Sequence, residues 1–299
     1  MKKYDCIPPL LPIKNVLAPE LKRWLVIDGA LLPELEKQIY LFANRGSIPV
    51  VLCPLFRGTR WENMLEVGPY LVQHFPQLEE WLQQASPYHY GIMFDSSAPL
   101  SELEAHWGKL INCEHPGLEG YLNRLYDAVV IRYLLQNTDD IRRNQWLGPM
   151  QTLWLPDLVQ DNYYQVCALE SIKTAPLEKS QFTDEEWQSL SDSARYYTAY
   201  RLISHIENFF PSTLKSTKVE THDFIMACFN ELKLLGGEVT EQLGIYYLNI
   251  VSRLGARNEF PTKYPEIEAC LVDKRIPLLE RLKQANADAL AISINREKS

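Results

Sequence analysis

Three side chains could do acid–base chemistry together: Asp28, which ends one apolar run, and Arg124 and Asp127, which lie close together further on. Both carboxylates fall where α/β proteins place functional groups, at the ends of strands. As a pair they could act as acid and base for a hydrolase or transferase working at one sheet edge, with Arg124 beside them. A pocket holding all three would be the mark of such a site. The same residues also have a structural reading. Asp28 followed by Gly29 makes an Asx-type turn, and Asp127 caps a helix, each answering backbone donors. Ser96 and Ser97 follow a strand, as a nucleophile would, yet Asp95, Ser96 and Ser97 equally supply a helix cap. Cys113 and His115 are metal-ligand types with no partner pair at zinc spacing, and a surface hairpin is the simpler setting. The familiar nucleotide cradles, His-Glu-x-x-His and Gly-x-Ser-x-Gly are absent from the sequence. No catalytic, cofactor or metal site is assigned, and the expectation is a protein that is not an enzyme.

The aromatic load points elsewhere. Seven Trp, sixteen Tyr and ten Phe include Phe56, Trp61, Tyr70, Tyr88, Trp154, Tyr163 and Tyr164 in expected loops or turns. Exposed aromatics beside Arg anchor protein interfaces. The other reading is that they seal the join between two lobes. Leu55, Phe56, Arg57 and Trp61, in a loop between elements, are the candidate partner contacts.

The elements that would position these residues begin with Trp24-Leu25-Val26-Ile27-Asp28-Gly29-Ala30, a buried strand ending in an Asp-Gly turn. Pro33 opens a helix to about Ala43, and Val50 to Cys53 is the next strand, which together read as a β-α-β unit. Glu62 to Val67 is a short amphipathic turn, and Gly68 to Val72 a turn entering a strand. Gln77 to Gln84 reads as helix and Tyr88 to Phe94 as strand. Leu100, Leu103 and Trp107 follow at helical steps. Lys109 to Glu114 and Gly120 to Leu125 read as a hairpin around Pro116-Gly117. Asp127 caps a helix carrying Val130, Ile131, Leu134 and Leu135, and a short helix runs from Asp139 to Trp146. Met150 to Leu155 and Tyr163 to Leu169 are strand-like. Thereafter the pattern is helical, opened by Thr183 and Glu186 at capping-box spacing. The fold class is α+β. A lead-in at 1–21 precedes an α/β lobe at 22–170, with a mixed sheet and covering helices. A linker at 171–181 then leads to an all-α lobe at 182–299.

Bulk composition narrows the partners. Hydrophobic residues are 46% and charged residues 23% of the 299, ordinary for a globular chain. A net charge of −8 disfavours general affinity for nucleic acid or anionic membrane, where Lys and Arg must neutralise phosphate. The six cysteines form no Cys-x-x-Cys pair and read as buried reduced thiols. Asp5 and early prolines break any signal peptide, and no stretch approaches the ~20 apolar residues of a bilayer span. A cytoplasmic location is expected.

Several motifs, in order, resemble those of the adaptor chaperones of bacterial type VI secretion. They are Trp24 to Ala30 with Asp28 and Gly29; Pro54-Leu55-Phe56-Arg57-Gly58; Gly68-Pro69-Tyr70-Leu71-Val72; and Gly91 to Phe94 followed by Ser96 or Ser97, Leu103 and His106. Arg124-Leu125-Tyr126-Asp127 closes the series, with Ala128 and Val129 where that family has Pro and Arg. Similarity is fuller over 22–149 than over 182–271. The resemblance implies a cytoplasmic, cofactor-free adaptor that binds a toxic effector and loads it onto the spike protein VgrG. The α/β lobe would carry the shared contact and the helical lobe the choice of effector. A third reading is a self-assembling structural subunit.

Overall fold

A computed structural model describes residues 17–46, 48–85, 91–114, 120–160, 162–169 and 181–297. The chain forms two compact units, one up to Ser193 and one from Ala194 to Ser299.

The first unit is built on β1 (Lys22–Asp28), β2 (Leu52–Pro54), β3 (Pro69–Gln73), β4 (Ile92–Ser96), β5 (Thr152–Asp157) and β6 (Asn162–Cys167). They form one six-stranded sheet in the order β2-β3-β1-β4-β5-β6. Every ladder is antiparallel, not mixed. β1 and β2 do point the same way, as a β-α-β unit requires, but β3 is inserted between them. Around the sheet lie α1 (Leu35–Arg45), α2 (Pro76–Ala85), α3 (Leu100–Ile111), α4 (Ala128–Gln136) and α5 (Asp140–Leu147).

β1 reads as a continuous apolar run because both of its faces are covered. Trp24 and Val26 join a core with Leu103 and Trp107 of α3, Ile131 and Leu134 of α4 and Trp146 of α5. Leu25 and Ile27 point to the other side, where Leu35 and Ile39 of α1 meet Leu78 and Trp81 of α2. Side chains alternate across a strand, so one run serves two layers.

Several local expectations are corrected. The first helix starts at Leu35, two residues beyond Pro33, because Glu34 takes a left-handed conformation with φ 55°. The hairpin arm at Lys109–Ile111 is instead the last turn of α3, whose stripe of Leu103, Trp107, Leu110 and Ile111 is wholly buried. The facing arm, Gly120 to Leu125, is not a strand. Asp95 and Ser96 do not cap α3, whose cap residue is Pro99. Asp95 pairs with Arg23, and the Ser96 hydroxyl donates to the Pro149 carbonyl at 2.6 Å. Phe56, Tyr70 and Trp154 are buried, not exposed, since they fill the layers beside the sheet. Cys53, Cys113 and Cys228 are buried free thiols pushed up to about 12 by burial, but Cys167 is exposed on edge strand β6. His115, Tyr88 and most of the proposed linker lie outside the described residues.

α6 (Asp184–Phe209) begins in the first unit. The capping box forms: the Glu186 amide donates to the Thr183 hydroxyl at 3.2 Å, and the Thr183 amide to the Glu186 carboxylate at 2.9 Å. Buried Glu186 also accepts from Trp146 Nε1 at 2.7 Å and from Arg142. The second unit continues with α7 (Lys218–Leu234), α8 (Glu241–Leu254), α9 (Phe260–Lys263), α10 (Pro265–Val272) and α11 (Leu278–Glu297). Its core joins Ile225, Phe229 and Leu232 of α7 to Tyr247 and Ile250 of α8 and Leu282 and Ala285 of α11. Arg281 is buried and donates to the carbonyls of Leu271 and Leu235, closing the C-terminal ends of α10 and α7. No described helix is long and apolar enough to cross a membrane.

Candidate functional site

The end of β1 gathers residues that are distant in the chain. Asp28 turns the strand by accepting the Ala30 amide at 3.0 Å, the Asx turn expected of Asp-Gly. Its second carboxylate oxygen accepts from the Arg124 guanidinium, so the buried carboxylate is paired. Arg124 in turn lies 5.6 Å from the centre of the Tyr126 ring. The Tyr126 ring meets Phe56 edge-on at 6.1 Å. Burial, reinforced by the Asp28 charge, pushes the Tyr126 phenol up to about 12.

Two glycines close the cluster. The Gly29 amide donates to the Gly68 carbonyl at 3.1 Å, and a Cβ on Gly29 would stand 2.4 Å from that same oxygen. A Cβ on Gly68 would stand 2.5 Å from the Phe56 ring. Both positions therefore demand glycine for the approach of neighbouring atoms. Pro69 faces Asp28 in the β1–β3 register, and its carbonyl accepts from the Leu55 amide at 2.8 Å. Gly58 takes φ 68° in the turn after Phe56.

Asp28, Gly29, Phe56, Gly68, Pro69, Arg124 and Tyr126 thus share one place. Asp127 adjoins it but faces α4, accepting the amides of Val129 at 2.9 Å and Val130 at 3.3 Å. Both carboxylates are engaged in the way the structural reading predicts. Of the four candidate contacts, Leu55 and Phe56 lie in the core, because the 54–58 loop folds inward onto β3. Arg57 is exposed. Trp61 is half-buried, with the Arg60 guanidinium 5.0 Å from its ring and Arg60 paired to Glu114. His106 is buried against Gly148, where its Nε2 lies 3.0 Å from the Trp146 carbonyl and donates to it.

Beside the cluster lies a groove of about 710 Å³, lined in part by Gly29, Glu36, Tyr40, Glu66, Val67 and Tyr70, and not by Asp28, Arg124 or Asp127. Gly29 and Tyr70 read as motif positions, but Glu36, Tyr40 and Glu66 went unread in the sequence. The available signal was Tyr40 and Val67, large apolar side chains that fall off the buried stripes of their elements. Among the described residues no group of three or more His, Cys, Asp or Glu is placed to hold a metal ion.

Residues 23–145 match the family described as Domain of unknown function (DUF4123). The chain is also similar to accessory protein VasW of Vibrio cholerae serotype O1 (strain ATCC 39315 / El Tor Inaba N16961). The two are 25% identical over 249 residues, which is 83% of this chain and 80% of VasW. No solved structure matches the chain. The domain match spans every residue of the cluster, and both findings agree with the family resemblance that the motifs carry.

Proposed function

We propose that this chain is an accessory protein of type VI secretion. Within that role it is a cytoplasmic adaptor chaperone without enzymatic activity, which binds a toxic effector and presents it to the VgrG spike. The observation that carries the reading is the DUF4123 match over 23–145 together with similarity to an accessory protein along four-fifths of both chains. The chemistry of the cluster supports it. Asp28 is held by Arg124 and the Ala30 amide, and Asp127 by the start of α4, so neither presents an unpartnered carboxylate to a substrate. What the cluster does is fix the shape of the surface around the end of β1.

Deleting the gene and measuring secreted effectors tests the proposal. Loss of one effector from the culture medium, restored by the plasmid-borne chain, is the expected result. Unchanged secretion of every effector contradicts it.

A further inference from the structure

The groove beside the cluster combines two features that call for a partner. Tyr40 and Val67 line it while remaining 44% and 50% exposed, so apolar surface stays in water. Glu34, Glu36 and Glu66 line it too, against a single ammonium, Lys37, which Glu34 already holds at 3.0 Å. Three carboxylates against one ammonium leave two negative charges. Tyr70, buried in the wall, carries a hydroxyl 3.4 Å from Glu36, and burial together with the charges of Glu36 and Glu66 holds that phenol above its ordinary range. At about 710 Å³ the groove has the capacity for a few side chains. An anionic ligand would be repelled from it, and a purely apolar one would strip water from the carboxylates without replacing it. A peptide bearing a cation beside an apolar side chain answers both features.

We propose that this groove receives a short segment of the protein cargo presenting a Lys or Arg next to an apolar residue. The inference rests on the adaptor reading and names where the grip lies and what it reads. The cation would sit between Glu36 and Glu66, and the apolar neighbour would cover Tyr40 and Val67.

The test places the photocrosslinker p-benzoylphenylalanine at position 40 of the full chain, expressed in the bacterium that encodes it. Crosslinked partners are digested with chymotrypsin and sequenced by mass spectrometry. The expected attachment is to a secreted effector, within a peptide containing Lys or Arg beside an apolar residue. E36K/E66K should lower the crosslink yield about tenfold or more, which corresponds to ~1.4 kcal/mol of lost binding. E36Q/E66Q keeps an acceptor near Tyr70 and serves if the charge reversal perturbs folding, as judged by circular dichroism. Attachment to a second copy of this chain, or to a segment lacking a basic residue, overturns the proposal. So does an undiminished yield from either variant while the effector still co-purifies, an outcome that leaves the adaptor reading standing. If the parent chain recovers no secretion component, the adaptor reading falls and this inference falls with it.

Discussion

His106 illustrates what burial does to one titratable group. Its ring is enclosed beside Gly148 and donates to the Trp146 carbonyl. Burial is the main cause that lowers its pKa from 6.5 to about 4. The unfolded chain takes up a proton near pH 6.5 that the folded chain refuses until about pH 4. This contribution to stability is therefore complete above pH 6.5 and lost as pH falls toward 4, on the order of 3 kcal/mol in total. Thermal melts between pH 4 and 7 should show that loss in the parent chain and a flatter profile in His106→Gln. A profile of the same slope in both would place the acid sensitivity elsewhere. At this scale the sequence was legible where bonds are local. Asp28 to Ala30, Asp127 to Val129 and Thr183 to Glu186 join residues two or three apart, and residue type with spacing is enough to read them. Arg124 to Asp28 and Arg142 to Glu186 span 96 and 44 positions, so they depend on the finished fold.

At the scale of elements, a buried ion pair ties β1 to β4. Arg23 and Asp95 are register partners, joined by two hydrogen bonds of 2.9 and 3.1 Å, and both are buried. The guanidinium also lies 4.8 Å from the Trp154 ring of the next strand, β5. Arg23→Met leaves the Asp95 charge enclosed without compensation and should destabilise the fold by about 3–5 kcal/mol. Adding Asp95→Leu removes the orphaned charge and should recover most of that loss. Urea unfolding of the two variants decides the matter, since a double variant no better than the single would mean that the pair itself stabilises. The misread elements have a common cause. Apolar spacing reports which side chains are buried and not the neighbours they are buried against. The same signal therefore served for the end of α3 and for a hairpin arm, and could not show that β3 is inserted between β1 and β2. Inserting that strand is what brings Gly68 against Gly29.

At the scale of the molecule, the α+β class was legible because strand-like runs stop near residue 169 and helical stripes follow. The site was legible only in part. The motif residues Asp28, Gly29, Gly68, Arg124 and Tyr126 do converge on one place at the end of β1. The choice of Leu55 and Phe56 as contacts failed on burial, for an aromatic in a loop is as readily turned inward as outward. The acidic groove beside the cluster is made by α1 and the 62–67 turn approaching each other, and no single stretch of sequence contains it. Sequence pattern thus located the residues packed around the end of β1 better than the surface beside them. The central claim, that this chain is an adaptor in type VI secretion, is tested most directly by affinity purification of the tagged chain from the bacterium that encodes it. Bound proteins would be quantified by mass spectrometry. The account predicts recovery of VgrG together with a toxin-like effector, both absent from a control with an unrelated tagged protein. Recovery of the chain alone, or with metabolic enzymes only, would contradict it.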